Sequence, residues 1–145
     1  MSKLMRGFCV FFLLILSGCA SEQSLITEPD SGKAVIYIYR TDVTADTDFL
    51  APNVRVNGKS LGSLLRRGYL RIELAPGAAQ IALFPVDRGD ENTNWPATRN
   101  AVVNLVVTAD STYFVELSLN TTLYKFSPAT RERAEQAMNE LHLLN

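Results

Sequence analysis

The chain has 145 residues, 47% hydrophobic and 20% charged, with 14 Lys and Arg against 15 Asp and Glu. That is enough for one ordinary core and too little for two comfortable domains. A formal net charge of −1 argues against a basic nucleic-acid surface or an anionic-lipid patch, and Arg66-Arg67, the only adjacent basic pair, reads as a solvated turn.

Residues 1 to 18 have the three parts of a secretory leader: Lys3 and Arg6 at a positive start, apolar Phe8 to Leu16, and small Ser17-Gly18 before a cut. A membrane-crossing helix would need about 20 apolar residues, and this run stops before Ser21, Glu22 and Gln23. Leu16-Ser17-Gly18-Cys19 resembles the lipobox at which bacteria attach lipid to a cysteine. The resemblance implies cleavage before Cys19, which becomes the diacylated and N-acylated first residue of a mature chain of 127 residues. Each buried methylene contributes about 0.8 kcal/mol, so two or three acyl chains anchor a protein where a single chain attaches it only marginally. Membrane lipid, reached through Cys19, is thus the first expected partner.

In Gram-negative lipoproteins an acidic residue after the cysteine tends to retain the protein at the inner membrane. Ala20 and Ser21 stand there instead, which implies the outer membrane and a domain facing the periplasm. The alternative is an ordinary cut after Ala20, releasing a soluble periplasmic protein. On the lipobox reading Cys9 leaves with the leader and Cys19 is consumed as a thioether, so the mature domain has no disulfide to form. Losing Lys3 and Arg6 takes its formal net charge to −3.

Residues 19 to 33 read as the lipidated cysteine and a flexible tether, since the Ser, Glu, Gln, Thr, Pro29, Asp30, Ser31 and Gly32 that follow leave little to bury. Such a segment has a root-mean-square reach of about 20 Å. The folded domain is expected over 34 to 145. Ala34-Val35-Ile36-Tyr37-Ile38-Tyr39-Arg40 is crowded with β-branched and aromatic residues and is apolar on both faces, as an inner strand would be. A polar loop from Thr41 to Ala51 carries Asp42, Asp46 and Asp48. Asn57-Gly58, between two strand-like runs, accepts the positive φ angles of a type I′ turn and predicts a hairpin.

Arg66-Arg67-Gly68 predicts another turn, followed by Tyr69 to Leu74 with Leu70, Ile72 and Leu74 inward and Arg71 and Glu73 outward. Pro76-Gly77 reverses the chain into Ala79 to Phe84. A long polar loop, Pro85 to Arg99, leads to a strand over Ala101 to Val107. Asp110-Ser111 then turns into Thr112 to Leu119, with Tyr113, Val115, Leu117 and Leu119 on one face. Ser127 as cap, Pro128 in the first turn, and Ala134, Ala137 or Met138, Leu141 and Leu144 at helical spacing predict a terminal helix lying across the sheet or along its edge. Short strands separated by turn signals indicate a mainly β fold, a small antiparallel β-sandwich or open barrel, with one C-terminal α-helix.

The ordered series Ala34 to Arg40, Val54-Arg55-Val56-Asn57-Gly58-Lys59 with Leu61-Gly62, Gly68-Tyr69, Pro76-Gly77 and Tyr113-Phe114-Val115-Glu116 resembles domain of unknown function 2846, found in short bacterial lipoproteins. The likeness covers nearly the whole mature domain. It implies a small β-sandwich broadly like PEGA-type modules and brings no catalytic residues or substrate. Two turns depart from the pattern: Ala78-Ala79 stands where a Gly/Lys/Glu-His turn is common, and Ala109-Asp110-Ser111 replaces a Gly-Lys turn.

Several residue groups invite a chemical reading. Gly58-Lys59-Ser60-Leu61-Gly62 fits Gly-x-Ser-x-Gly, yet that motif needs a strand-to-helix turn and a histidine. The hairpin claims the same residues, and the lone histidine, His142, falls near the end of the expected helix. Metal sites lack thiolate and paired imidazole ligands. Asp42, Asp46 and Asp48 lack the glycine and closing glutamate of a calcium loop, and Asp87, Asp90 and Glu91 read likewise as solvated acids. Tyr37, Tyr39, Tyr69 and Tyr113 read as packing residues within strands. Trp95, beside Asn92, Asn94 and Arg99, is suited to stacking a sugar ring, or else folds back as a plug over the open end of the sandwich.

These readings converge on a non-enzymatic envelope protein without cofactor or metal, tethered through Cys19, whose expected partner is another envelope protein. A module binding glycan, with peptidoglycan as the local polymer, through Trp95 and Arg99 is the alternative. Replacing Cys19 by Ser is expected to move the protein out of the membrane fraction; unchanged fractionation would remove the lipid anchor.

Overall fold

Seven consecutive residues buried without a break make up β1 (Ala34–Arg40), the strand around which the other elements arrange themselves. The computed structural model of the protein describes residues 25–41, 51–84, 101–120 and 123–145. Along these follow β2 (Asn53–Val56), β3 (Lys59–Ser63), β4 (Gly68–Leu74), β5 (Gly77–Phe84), β6 (Val102–Val107), β7 (Ser111–Asn120), β8 (Leu123–Ala129), α1 (Arg131–Met138) and β9 (His142–Leu143). They form a five-stranded sheet in the order β8, β7, β1, β4, β9 and a four-stranded sheet in the order β3, β2, β5, β6.

Successive residues of a strand point to opposite faces, so a central strand apolar throughout needs cover on both sides. Ala34, Ile36 and Ile38 meet Val54, Val56, Ala79, Ile81 and Leu83 of the second sheet in an inner core that also takes in Leu70, Val115, Leu117 and Phe126. Val35, Tyr37 and Tyr39 face the other way, where Tyr69, Phe114, Ala134, Met138, Leu141 and Ile26 close an outer core. The domain is a β-sandwich with a third layer made of α1 and the N-terminal segment. Full burial of a side chain such as Ile36 contributes about 1.5–3 kcal/mol relative to exposure.

The local turn chemistry behaves as its residues dictate. Asn57 and Gly58 have φ of 49° and 80°, the left-handed pair that a type I′ hairpin requires. Leu70 is buried between the sheets with Ile72 and Leu74 packed beside it, and Tyr113, Val115, Leu117 and Leu119 share the inner face. The outward pair, Arg71 and Glu73, forms an ion pair at 2.6 Å.

Three details depart from the sequence-based expectations. First, the larger sheet is mixed, since β1 runs parallel to β7, with Ala34 opposite Ser111 and Arg40 opposite Leu117, and β4 parallel to β9. A parallel pair needs a long connection, and between β1 and β7 the whole second sheet and β4 supply it. Second, Ser127 and Pro128 belong to β8 instead of starting the helix, because β8 pairs with β7 through Ala129. Proline's missing N–H is tolerated on an edge strand. Thr130 caps α1, its Oγ1 accepting from Arg133 N at 3.3 Å. Leu141 and Leu144 lie beyond that eight-residue helix, and His142 is an exposed residue of β9.

Third, the segment read as tether as far as Lys33 is docked from Ile26 onward. Ile26 is buried in the outer core. Thr27 N donates to the Tyr37 hydroxyl at 2.8 Å, that hydroxyl donates back to Thr27 O at 3.3 Å, and Glu28 pairs with Arg131 at 3.2 Å. A tyrosine hydroxyl buried under this layer needs a partner, and residue 27 provides it.

Tyr39, two residues along on the same face, has a buried hydroxyl with no hydrogen-bond partner among the described residues. Tyr37→Phe is therefore expected to cost about 1 kcal/mol in urea unfolding, whereas Tyr39→Phe, which deletes an unsatisfied group, should leave stability unchanged or raise it slightly. Equal losses in both variants would contradict the assignment.

Candidate functional site

At the end of β1 the alternation that builds the two cores delivers polar groups. Arg40 turns inward and is fully buried between the sheets, its guanidinium carbon 5.3 Å from the centre of the Tyr124 ring. Tyr39 and Thr41 turn outward, beneath the helical layer. The parallel register sets Glu116 of β7 opposite Tyr39, so a carboxylate only 9% exposed lies on the outer face of the sheet.

Its partners come from two other elements. Thr41 Oγ1 donates to Glu116 Oε1 at 2.8 Å. Arg133 Nε donates to Oε2 at 2.9 Å, with Nη2 2.7 Å from the same oxygen. Arg133 reaches it because the Thr130 cap fixes where α1 begins, with Ala134 and Met138 pointing into the outer core and Arg131 placed 5.6 Å over the Phe114 ring. The Glu116 charge, then its hydrogen bond, raises the Arg133 guanidinium above its ordinary value. Burial, and secondarily the Glu116 charge, pushes the Tyr39 phenol up, so it stays protonated as a potential donor.

Thr41, Glu116 and Arg133, together with Arg67, Gln136 and Glu140, line a cleft of about 390 Å³ whose wall is completed by Ala137 and Leu141. Arg67 occupies a left-handed turn position, φ 55°, and its carbonyl accepts from His142 N at 3.0 Å, tying the turn before β4 to β9. The pair Arg66-Arg67 is thus more than a solvated turn, since one member borders the cleft. Two guanidinium groups, two carboxylates, an amide and a hydroxyl suit a polar segment carrying both signs of charge, held by charge-assisted hydrogen bonds.

Cys19, Trp95 and Arg99 lie outside the described residues, as do Asp42, Asp46, Asp48, Asp87, Asp90 and Glu91. The strands flanking the Trp95 segment end at Phe84 and resume at Val102, with Leu83 N bonded to Ala101 O at 3.1 Å. Ser60 sits in the hairpin strand β3, its hydroxyl donating to Asn53 Oδ1 at 2.9 Å, while His142 belongs to the other sheet. Among the described residues no group of three or more His, Cys, Asp or Glu is placed to hold a metal ion.

Reading the sequence missed Glu116, Arg133, Thr41 and Arg67 as neighbours. The available hint was Arg40-Thr41, a polar end to an otherwise apolar inner strand.

A family model described as a protein of unknown function, DUF2846, matches residues 30–128. The match spans both sheets and stops ahead of α1, so Thr41, Arg67 and Glu116 fall inside it and Arg133, Gln136 and Glu140 beyond it. No curated protein and no solved structure matches the chain.

Arg133→Ala leaves a mostly buried carboxylate with Thr41 as its one remaining hydrogen-bond partner among the described residues, so it is expected to lower the thermal midpoint. Adding Glu116→Gln should restore part of the loss. Strictly additive losses in that double-mutant cycle would show that the two side chains do not interact.

Proposed function

Since the chain belongs to the DUF2846 family of proteins of unknown function, which assigns it no reaction or ligand, we propose from its own residues that it is a lipid-anchored, non-catalytic interaction module of the bacterial cell envelope. The anchor is acylated Cys19 in the lipobox, and the domain faces the periplasm from the outer membrane. Its partner is another envelope protein.

The observation that supports a recognition role is the cleft under α1. Both oxygens of Glu116 are engaged, by Thr41 and by Arg133, an arrangement that holds a surface in shape more readily than it moves a proton. Arg67, Gln136 and Glu140 remain around the opening to meet a polar chain segment. Trp95 and Arg99 keep the peptidoglycan reading as the second possibility, on the strength of the tryptophan, amides and arginine in one polar segment.

A photo-crosslinking residue at Gln136 in the anchored protein is expected to yield a discrete envelope-protein adduct that is lost with Arg67→Ala, while the same residue at Gln80, on the second sheet, yields none. Co-sedimentation of the domain with purified sacculi, abolished by Trp95→Ala, with no adduct at Gln136, would move the function to glycan binding.

A further inference from the structure

The outermost strand of a sheet leaves a row of main-chain N–H and C=O groups without a neighbour, and such an edge accepts a further strand unless something discourages it. Three of the edges here carry a discouraging device. β8 has Lys125 and Pro128, β3 has Lys59 and lies against a register shift between Val54 and Arg55, and β9 is two residues long. β6 has none of these. From Asn100 to Thr108 the chain holds no charge and no proline, and β6 pairs with β5 in unbroken register from Ala82 opposite Val102 to Gly77 opposite Val107. Among the described residues no strand bonds to its other side.

Hydrogen bonding fixes which residues face that open side. Gln80 turns its main chain toward β2, its C=O accepting from Asn57 N at 2.9 Å and its N–H donating to Asn57 Oδ1 at 2.8 Å. Its neighbours Ala79 and Ile81 therefore bond toward Leu105 and Val103 of β6, and Leu83 N donates to Ala101 O in the same phase. Val102, Asn104 and Val106 are left with their N–H and C=O groups directed away from the sheet. The side chains of these three share the solvent face, Val102 being 47% and Val106 76% exposed.

This row is its own complement. The two valines stand two residues before and two after Asn104, so a second β6, turned about a two-fold axis through Asn104, sets Asn104 against Asn104 and Val102 against Val106 on each side. All three pairs are of the kind that exchanges two hydrogen bonds, about six in all, and each exposed Val106 is covered by a Val102. A charged strand would hold its charge against valine, whereas a copy of β6 brings no charge.

We propose that β6 is a self-association edge at which a second copy of this chain pairs antiparallel, in the register centred on Asn104, joining the two smaller sheets into one. The addition is sideways, so the outer face of that sheet, Gln80 included, stays uncovered. The cleft under α1 belongs to the outer face of the larger sheet and remains open to a different partner. The pairing does not depend on the Cys19 anchor.

The test oxidises the full-length Asn104→Cys variant in cells and looks for a dimer on non-reducing gels. Residues opposed in such a pair have Cα atoms about 5.5 Å apart, within the range of a disulfide. The dimer is expected at several-fold higher yield than from Ser60→Cys, at the exposed opposite edge, or from the parent chain, which controls for Cys9 and Cys19. Adding Val102→Lys with Val106→Lys opposes like charges across the pair and should abolish it; Val102→Glu with Val106→Lys opposes unlike charges and should restore it. Within one strand these positions are about 13 Å apart, so restoration reports contact between copies. Both double variants change the same exposed positions, so a difference between them does not come from misfolding. Equal yields from Asn104→Cys and Ser60→Cys, or equal yields from the two double variants, would overturn the pairing. A disulfide to a different polypeptide in place of the dimer would overturn the second copy as occupant.

Discussion

The requirement to cover a strand that is apolar on both faces governs this domain. β1 has no polar side for water, so it can exist only as the middle of a sheet that is itself the middle layer of three. The second sheet covers one face and α1 with residues 26–30 covers the other. Neither cover could be removed without exposing half of β1. The parallel partnership with β7 follows from the same demand, because a central strand needs neighbours on both edges and the chain reaches the far edge only after building the second sheet.

Polar groups mark where this arrangement meets its boundaries. Tyr37 reaches through the outer core to the backbone of Thr27, which turns an otherwise featureless segment into part of the fold. Arg40 ends the strand between the sheets against Tyr124, and Glu116 ends the same region on the opposite face against Thr41 and Arg133. A charge or hydroxyl taken out of water is costly without partners, so these contacts also tie together distant parts of the chain: β7 with the helix through Glu116, the N-terminus with the central strand through Tyr37. The cleft exists because these obligations converge where β1 stops and α1 crosses.

The N-terminal segment from Ile26 belongs to the fold. Residues that look like a spacer in composition are in part structural, since Ile26 is buried in the outer core and Thr27 hydrogen-bonds the Tyr37 hydroxyl. The buried isoleucine and the tyrosine hydroxyl hold this segment against the outer face of the larger sheet.

The sequence by itself determined every element whose cause is local. β1 was legible in its unbroken β-branched and aromatic run, the hairpin in Asn57-Gly58, the inward faces of β4 and β7 in their period of two, and the family in the ordered series of those motifs. The strand over Leu123–Ala129 was not foreseen, and its Ser127 and Pro128 were read as the start of the helix. What the tertiary structure alone decided is pairing across long separations. Strand direction between β1 and β7, the docking of Ile26 and Thr27, and the meeting of Glu116, Arg133, Thr41 and Arg67 depend on contacts between residues far apart in sequence. A charged residue in a strand, a helix or a turn looks solvated when read in its own neighbourhood, and only packing shows which of them have lost their water and found each other.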